Sequence, residues 1–139
     1  MTRTLMDISK YNFDLAKREL ARGALDEIEL NGIAYHLQQA IELALKHYME
    51  VNGIQFPYTH NINILIQIIE NKNVDVKFPD MFEYFSPTFT EWEASARYIK
   101  DYSATRKSIE LGMKLIEEFY TLNENGSSFE DAMNITAMR

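Results

Sequence analysis

Apolar residues recur at steps of three and four along most of this chain, the spacing that sets one face of an α-helix against a core. From about Asp7 to Arg22 they are Ile8, Phe13, Leu15, Ala16, Leu20 and Ala21, and Gly23 supplies a stop. A longer run from about Asp26 to Val51 carries Ile33, Ala34, Leu37, Ala40, Ile41, Ala44, Leu45 and Tyr48. Asn52-Gly53 closes it, Gly53 being suited to the left-handed turn after a helix. Beyond an extended linker around Pro57, Thr59 is placed to cap a third helix over Asn61 to about Glu70, striped with Ile62, Leu65, Ile66 and Ile69. Asn71 to Val76 reads as a loop, because a lone strand through Val74 and Val76 would have no partner. The aromatic stretch Phe82–Phe85 reads as a short helix of its own. A fresh start is expected at Ser86-Pro87, with Thr88 and Glu91 spaced as a capping box, and this fourth helix ends near Lys100. Ser103 or Thr105 caps a last helix through about Leu122. The pattern therefore predicts an all-α bundle of about five helices over 1–125, with 126–139 a tail that forms a short helix or stays mobile.

Composition narrows the function classes. A chain of 139 residues with 46% apolar content is most simply one domain able to close its own core. The absence of cysteine excludes disulfides, thiolate catalysis and cysteine-ligated metals. Apolar runs are too short to span a membrane, and the N-terminus lacks the apolar stretch of a signal peptide, so no membrane partner and a cytoplasmic location are expected. Fourteen basic residues against 21 acidic give a net charge of −7, which weighs against nonspecific nucleic-acid binding while leaving room for a local basic groove.

Four polar residues of the second helix, His36, Gln39, Glu42 and Lys46, follow one another at three- and four-residue steps and so are expected on one face. Glu42 to Lys46 is the favoured orientation of a helical ion pair. Such a strip suits a groove or a dimer seam, or simply a solvated face. It makes no metal site, since His36 and Glu42 lack a third ligand at useful spacing. His60 is expected to bond locally beside Thr59 at a helix start. The aromatics Phe82, Tyr84, Phe85, Phe89 and Trp92 lie among Asp80, Glu83, Glu91 and Glu93, so a core or subunit-interface role is expected rather than stacking on nucleic acid. There is no Gly-rich phosphate loop and no nucleophile elbow, and no cofactor is implied.

The segment Tyr35-His36-Leu37-Gln38-Gln39-Ala40-Ile41-Glu42-Leu43-Ala44-Leu45-Lys46, then Gly53 and Thr59-His60, then Ala96-Arg97-Tyr98-Ile99-Lys100-Asp101-Tyr102-Ser103, resembles the HEPN domain family (higher eukaryotes and prokaryotes nucleotide-binding). The likeness covers roughly Asp7 to Leu122. Leu43 stands where the family has Lys, and Ile99 where Pro is frequent. The resemblance implies an antiparallel up-and-down bundle, pairing as a homodimer, and a setting beside a minimal nucleotidyltransferase in a toxin–antitoxin-like module. It also implies a nucleotide or RNA ligand.

The best-studied members of that family are ribonucleases with an Arg-x4–6-His signature, and no histidine here follows an arginine at that spacing. If Arg97 matches the signature arginine, Tyr102 stands at the first histidine position, and a phenol titrating near about 10 is a poor base at neutral pH. The expectation is thus a non-catalytic binding or docking protein. The alternatives are a metal-independent ribonuclease toxin with a degenerate site and a purely structural dimeric adaptor. Arg97, Tyr98 and Tyr102 are the candidates for contacting a phosphate or base. Arg97 pairing with Glu93 or a second-helix carboxylate, as a structural tie, is the competing reading.

Overall fold

Short polar side chains decide where most of the helices begin. The structure, a computed structural model, describes residues 2–23 and 25–125, with the side chains at 96, 97, 124 and 125 outside that description. The expected tail at 126–139 falls outside the described residues. Five α-helices run over Leu5–Leu20 (α1), Glu27–Val51 (α2), Ile62–Asn71 (α3), Phe82–Tyr98 (α4) and Arg106–Tyr120 (α5), and a π-helical turn, Thr121–Asn125, follows the last. No strand occurs among the described residues.

α1 starts before the expected Asp7 because Thr4 and Asp7 form a reciprocal capping box: the Thr4 hydroxyl accepts from Asp7 N at 3.1 Å and the Asp7 carboxylate from Thr4 N at 2.9 Å. Asp26 and Glu29 do the same for α2. The cap of α3 is Asn61 rather than Thr59. Its side chain accepts from Ile64 N at 3.2 Å, while the Thr59 hydroxyl takes the Asn61 N–H one step upstream. Thr105, not Ser103, caps α5. Gly23, the expected stop, and Gly53, the expected left-handed turn, follow their helices with φ of 95° and 69°.

The break expected at Ser86-Pro87 does not exist. α4 is one helix from Phe82, with Pro87 inside it. Proline has no N–H to give the carbonyl four residues back, Glu83 O. The Ser86 hydroxyl donates to that carbonyl instead, at 2.8 Å, so the helix passes through.

α2 touches each of the other four α-helices and carries the core. Leu37, Ile41, Leu45 and Met49 are fully buried along it, in one core with Ile62, Leu65 and Ile69 of α3. A second layer is aromatic: Phe82, Phe85, Phe89 and Trp92 of α4 interleave with Phe78 and Phe119, at centroid separations of 4.7–5.7 Å. These residues are core, and only Tyr84 of the expected cluster faces out. Gly112 lets α5 approach that layer, since a Cβ there would lie 2.9 Å from Trp92 Cη2.

Two asparagines clamp connections. Asn31 donates to Tyr102 O at 2.7 Å and accepts from Ala104 N at 2.8 Å, tying the α4–α5 link to α2. Asn123 holds Lys77 by both its N–H and its carbonyl, fixing the α3–α4 link to the end of the bundle.

Candidate functional site at the α2–α3–α4 junction

The polar residues of α2 do not share one face. Residues six apart on an α-helix are rotated by about 120° from one another, and the fold uses that drift to separate His36 from Glu42. Glu42 turns inward and is 3% exposed. Its carboxylate accepts from Gln38 Nε2 at 2.7 Å, from Lys46 Nζ at 2.9 Å, and from His60 Nδ1 at 3.0 Å. Gln39 extends the chain, donating to Gln38 Oε1 at 2.7 Å. Lys46 is itself buried and lies over the Phe56 ring, 5.3 Å from its centroid. The strip expected along a groove, seam or solvated face is therefore largely an interior network, with every Glu42 partner a hydrogen-bond donor as a buried carboxylate requires.

His60 reaches the surface from this network. It sits in the α2–α3 link, half-exposed, with Nδ1 on Glu42 and Nε2 3.9 Å from Glu93 Oε1 of α4. The second distance is too long for a hydrogen bond. Its expected local bonding at the helix start gives way to a contact across 18 residues. Beside it the Tyr58 ring is wholly exposed, its centroid 6.3 Å from that of His60.

His36 belongs elsewhere. Asn12 uses its amide nitrogen to donate to Ile8 O, so its oxygen faces His36 Nδ1 at 2.9 Å and the imidazole carries its proton there. Burial pushes the His36 pKa below its ordinary value, with nearby Glu19 opposing. The ring borders a hollow of about 300 Å³ between α1 and α2, beside Leu15, Glu19, Glu29 and Gly32.

Arg97 stands in the last turn of α4, one turn beyond Glu93, and its side chain is outside the described residues. Tyr98 ends the helix and is exposed. A turn closed by Tyr102 N on Ile99 O leads to Tyr102, which is partly buried. Its phenol is pushed above its ordinary pKa chiefly by burial and then by the Glu91 charge, a hydrogen bond with Trp92 opposing. Thus Glu93, one turn before Arg97 on α4, lies beside the α2 network, while His36 stays apart.

Sequence reasoning overlooked Gln38, Asn31 and Tyr58, and gave His60 only a local role. One signal was available: Gln38, Glu42 and Lys46 follow at strict four-residue steps, the row that stays together along a helix.

Among the described residues no three His, Asp or Glu side chains converge as metal ligands would. No described helix is long and apolar enough to cross a membrane.

An all-α bundle with this polar network is what the comparison with protein families meets. The HEPN domain family model matches residues 2–126, and the chain belongs to the HEPN family. No curated protein and no solved structure matches the chain.

Proposed function

We propose that this HEPN chain is a non-catalytic protein that binds a nucleotide or RNA or docks a partner, in association with a minimal nucleotidyltransferase in a toxin–antitoxin-like module. It acts as a cytoplasmic homodimer. Arg97 takes the phosphate bidentately, and Tyr98 and Tyr102 flank it with ring surface and hydroxyl groups.

The observation that carries the non-catalytic reading is the state of Tyr102. Cleavage through the 2′-hydroxyl of RNA needs a group that accepts its proton near neutral pH, together with a cation for the phosphorane. Tyr102 occupies the position at which a histidine would follow Arg97, and burial and Glu91 drive its phenol still further from neutrality. Support for binding comes from the exposed Tyr98 next to Arg97 at the end of α4, just before a link that Asn31 ties to α2.

The test is a titration of ATP and of a single-stranded RNA into wild type and Arg97→Ala, with the RNA afterwards run on a denaturing gel. Saturable binding that the variant loses, with the RNA intact, supports the reading. Cleaved RNA, or equal affinity in the variant, contradicts it.

A further inference from the structure

Tyr58 is a whole aromatic ring standing in solvent, in the linker between α2 and α3. Two residues on, His60 presents a second ring, with centroids 6.3 Å apart and planes inclined at 57°. The two differ in how they are held. His60 is pinned through Nδ1 by Glu42, a carboxylate rooted in the core and itself fixed by Gln38 and Lys46. For Tyr58, full exposure leaves the ring free to turn about its own side-chain torsions.

A pinned ring beside a free one is the arrangement needed to admit a flat molecule between them. Two layers of ring contact, each about 3.5 Å, require about 7 Å between parallel planes; at 6.3 Å and 57° the two rings are in tilted contact, so the exposed Tyr58 ring turns away from His60 to admit a base. The surroundings select for a neutral planar group over an anion. Lys46, the described cation of the network, is buried and engaged by Glu42, and Glu93 lies on the far side of the imidazole. A phosphate would find no available charge from the network itself. One helical turn farther along α4 from Glu93 lies Arg97.

We propose that Tyr58 and His60 form a stacking platform for a nucleobase, the base subsite of the nucleotide or RNA site described above. The proposal rests on that reading for its phosphate end and adds the side chains that recognise the base. Glu42 is a positioning residue in it, holding the imidazole plane. A free nucleotide and a base within a single strand share this chemistry, and the two probes below separate them.

The experiment follows the three histidine rings by ¹H–¹³C NMR while ATP, or a ten-nucleotide oligoadenylate, is added to the full chain. The His60 ring protons shift upfield under the base, while those of His36 and His47 stay in place. Tyr58→Ala weakens binding by about 5- to 100-fold, the loss expected for one base–aromatic stack, and Tyr58→Phe, which keeps the ring, binds as wild type. Because Tyr58 is fully exposed, its replacement leaves the fold intact. Binding of the oligoadenylate without ATP assigns the platform to single strands, and binding of both assigns it to the base alone. Affinity unchanged in Tyr58→Ala, with no His60 shift but loss in Arg97→Ala, overturns the platform and leaves the phosphate site standing. Loss in Tyr58→Ala with full binding by Arg97→Ala supports the platform and overturns the role of Arg97. No binding of either probe by wild type overturns both.

Discussion

Glu42 on α2 and His60 in the α2–α3 link stand 18 residues apart and meet at 3.0 Å, with Lys46 closing on the other carboxylate oxygen at 2.9 Å. A surface imidazole is thereby tied to the centre of the bundle. The tie has a cost, because Glu42 and Lys46 must both leave water, and their attraction offsets that desolvation only while the network is complete.

Removing one partner should therefore hurt more than removing both. Glu42→Ala leaves the Lys46 ammonium buried without its counter-charge and is expected to lower stability by about 3–5 kcal/mol. The double replacement Glu42→Leu/Lys46→Met recovers most of that loss. Urea denaturation of the three proteins measures it, and a single-site loss below about 1 kcal/mol, the range of an exposed pair, would show that the pair is not effectively buried.

Among the described residues, the helical glycines Gly32 and Gly112 should respond with opposite signs. Gly32 lies within α2 with open space above it, so Gly32→Ala gains about 0.5–1 kcal/mol from helix propensity. Gly112→Ala drives a methyl into Trp92, which is buried and cannot swing away, and loses about 1–3 kcal/mol from overpacking. Thermal unfolding of both variants gives the comparison, and stabilisation by Gly112→Ala would contradict the close approach of α5 to Trp92.

Proline within α4 makes Ser86 necessary. Ser86→Ala strips the Glu83 carbonyl of its donor and should cost about 1 kcal/mol. In the Ser86→Ala/Pro87→Ala protein a backbone N–H returns to that carbonyl, and stability should recover to at least the wild-type level. Chemical denaturation decides it: equal losses in the single and double variants would mean that the hydroxyl contributes nothing to carrying the helix past Pro87.

His36 gives the fold a pH dependence of definite sign. Its folded pKa lies below the ordinary 6.5, so the unfolded chain takes up the proton first as pH falls. The contribution is fully present above pH 6.5 and is lost as pH drops through the lower folded value. His36→Gln should flatten the stability profile across that window, whereas the Asp7 cap, with a carboxyl pKa held below 3.8, acts only at lower pH. An unchanged slope below pH 6.5 in the variant would contradict this assignment.

The helices and the core were legible because apolar spacing and caps are local signals. Ile33, Leu37, Ile41, Leu45 and Ile62 were named from spacing alone and are buried. The errors have local causes too. Thr4-x-x-Asp7 is a capping box with Asp in place of Glu. Pro87 reads as a helix start unless the Ser86 hydroxyl is seen to serve the Glu83 carbonyl. The junction was less legible, because Glu42, His60 and Glu93 come from three segments and their meeting depends on how those segments pack. The aromatic-His and Gln-Gln series pointed to α2 but not to its inward turn, since a polar strip looks the same in sequence whether it faces water or a buried carboxylate.

The most direct measurement of the central claim is a thermal shift of wild type and Arg97→Ala against a nucleotide panel. A ligand at a hundred times its dissociation constant stabilises by about 2.7 kcal/mol, a rise of about 5–10 °C for a domain of this size. The account predicts such a rise for wild type with at least one nucleotide, and its loss in Arg97→Ala. No rise with any nucleotide at millimolar concentration, or the same rise in both proteins, would contradict it.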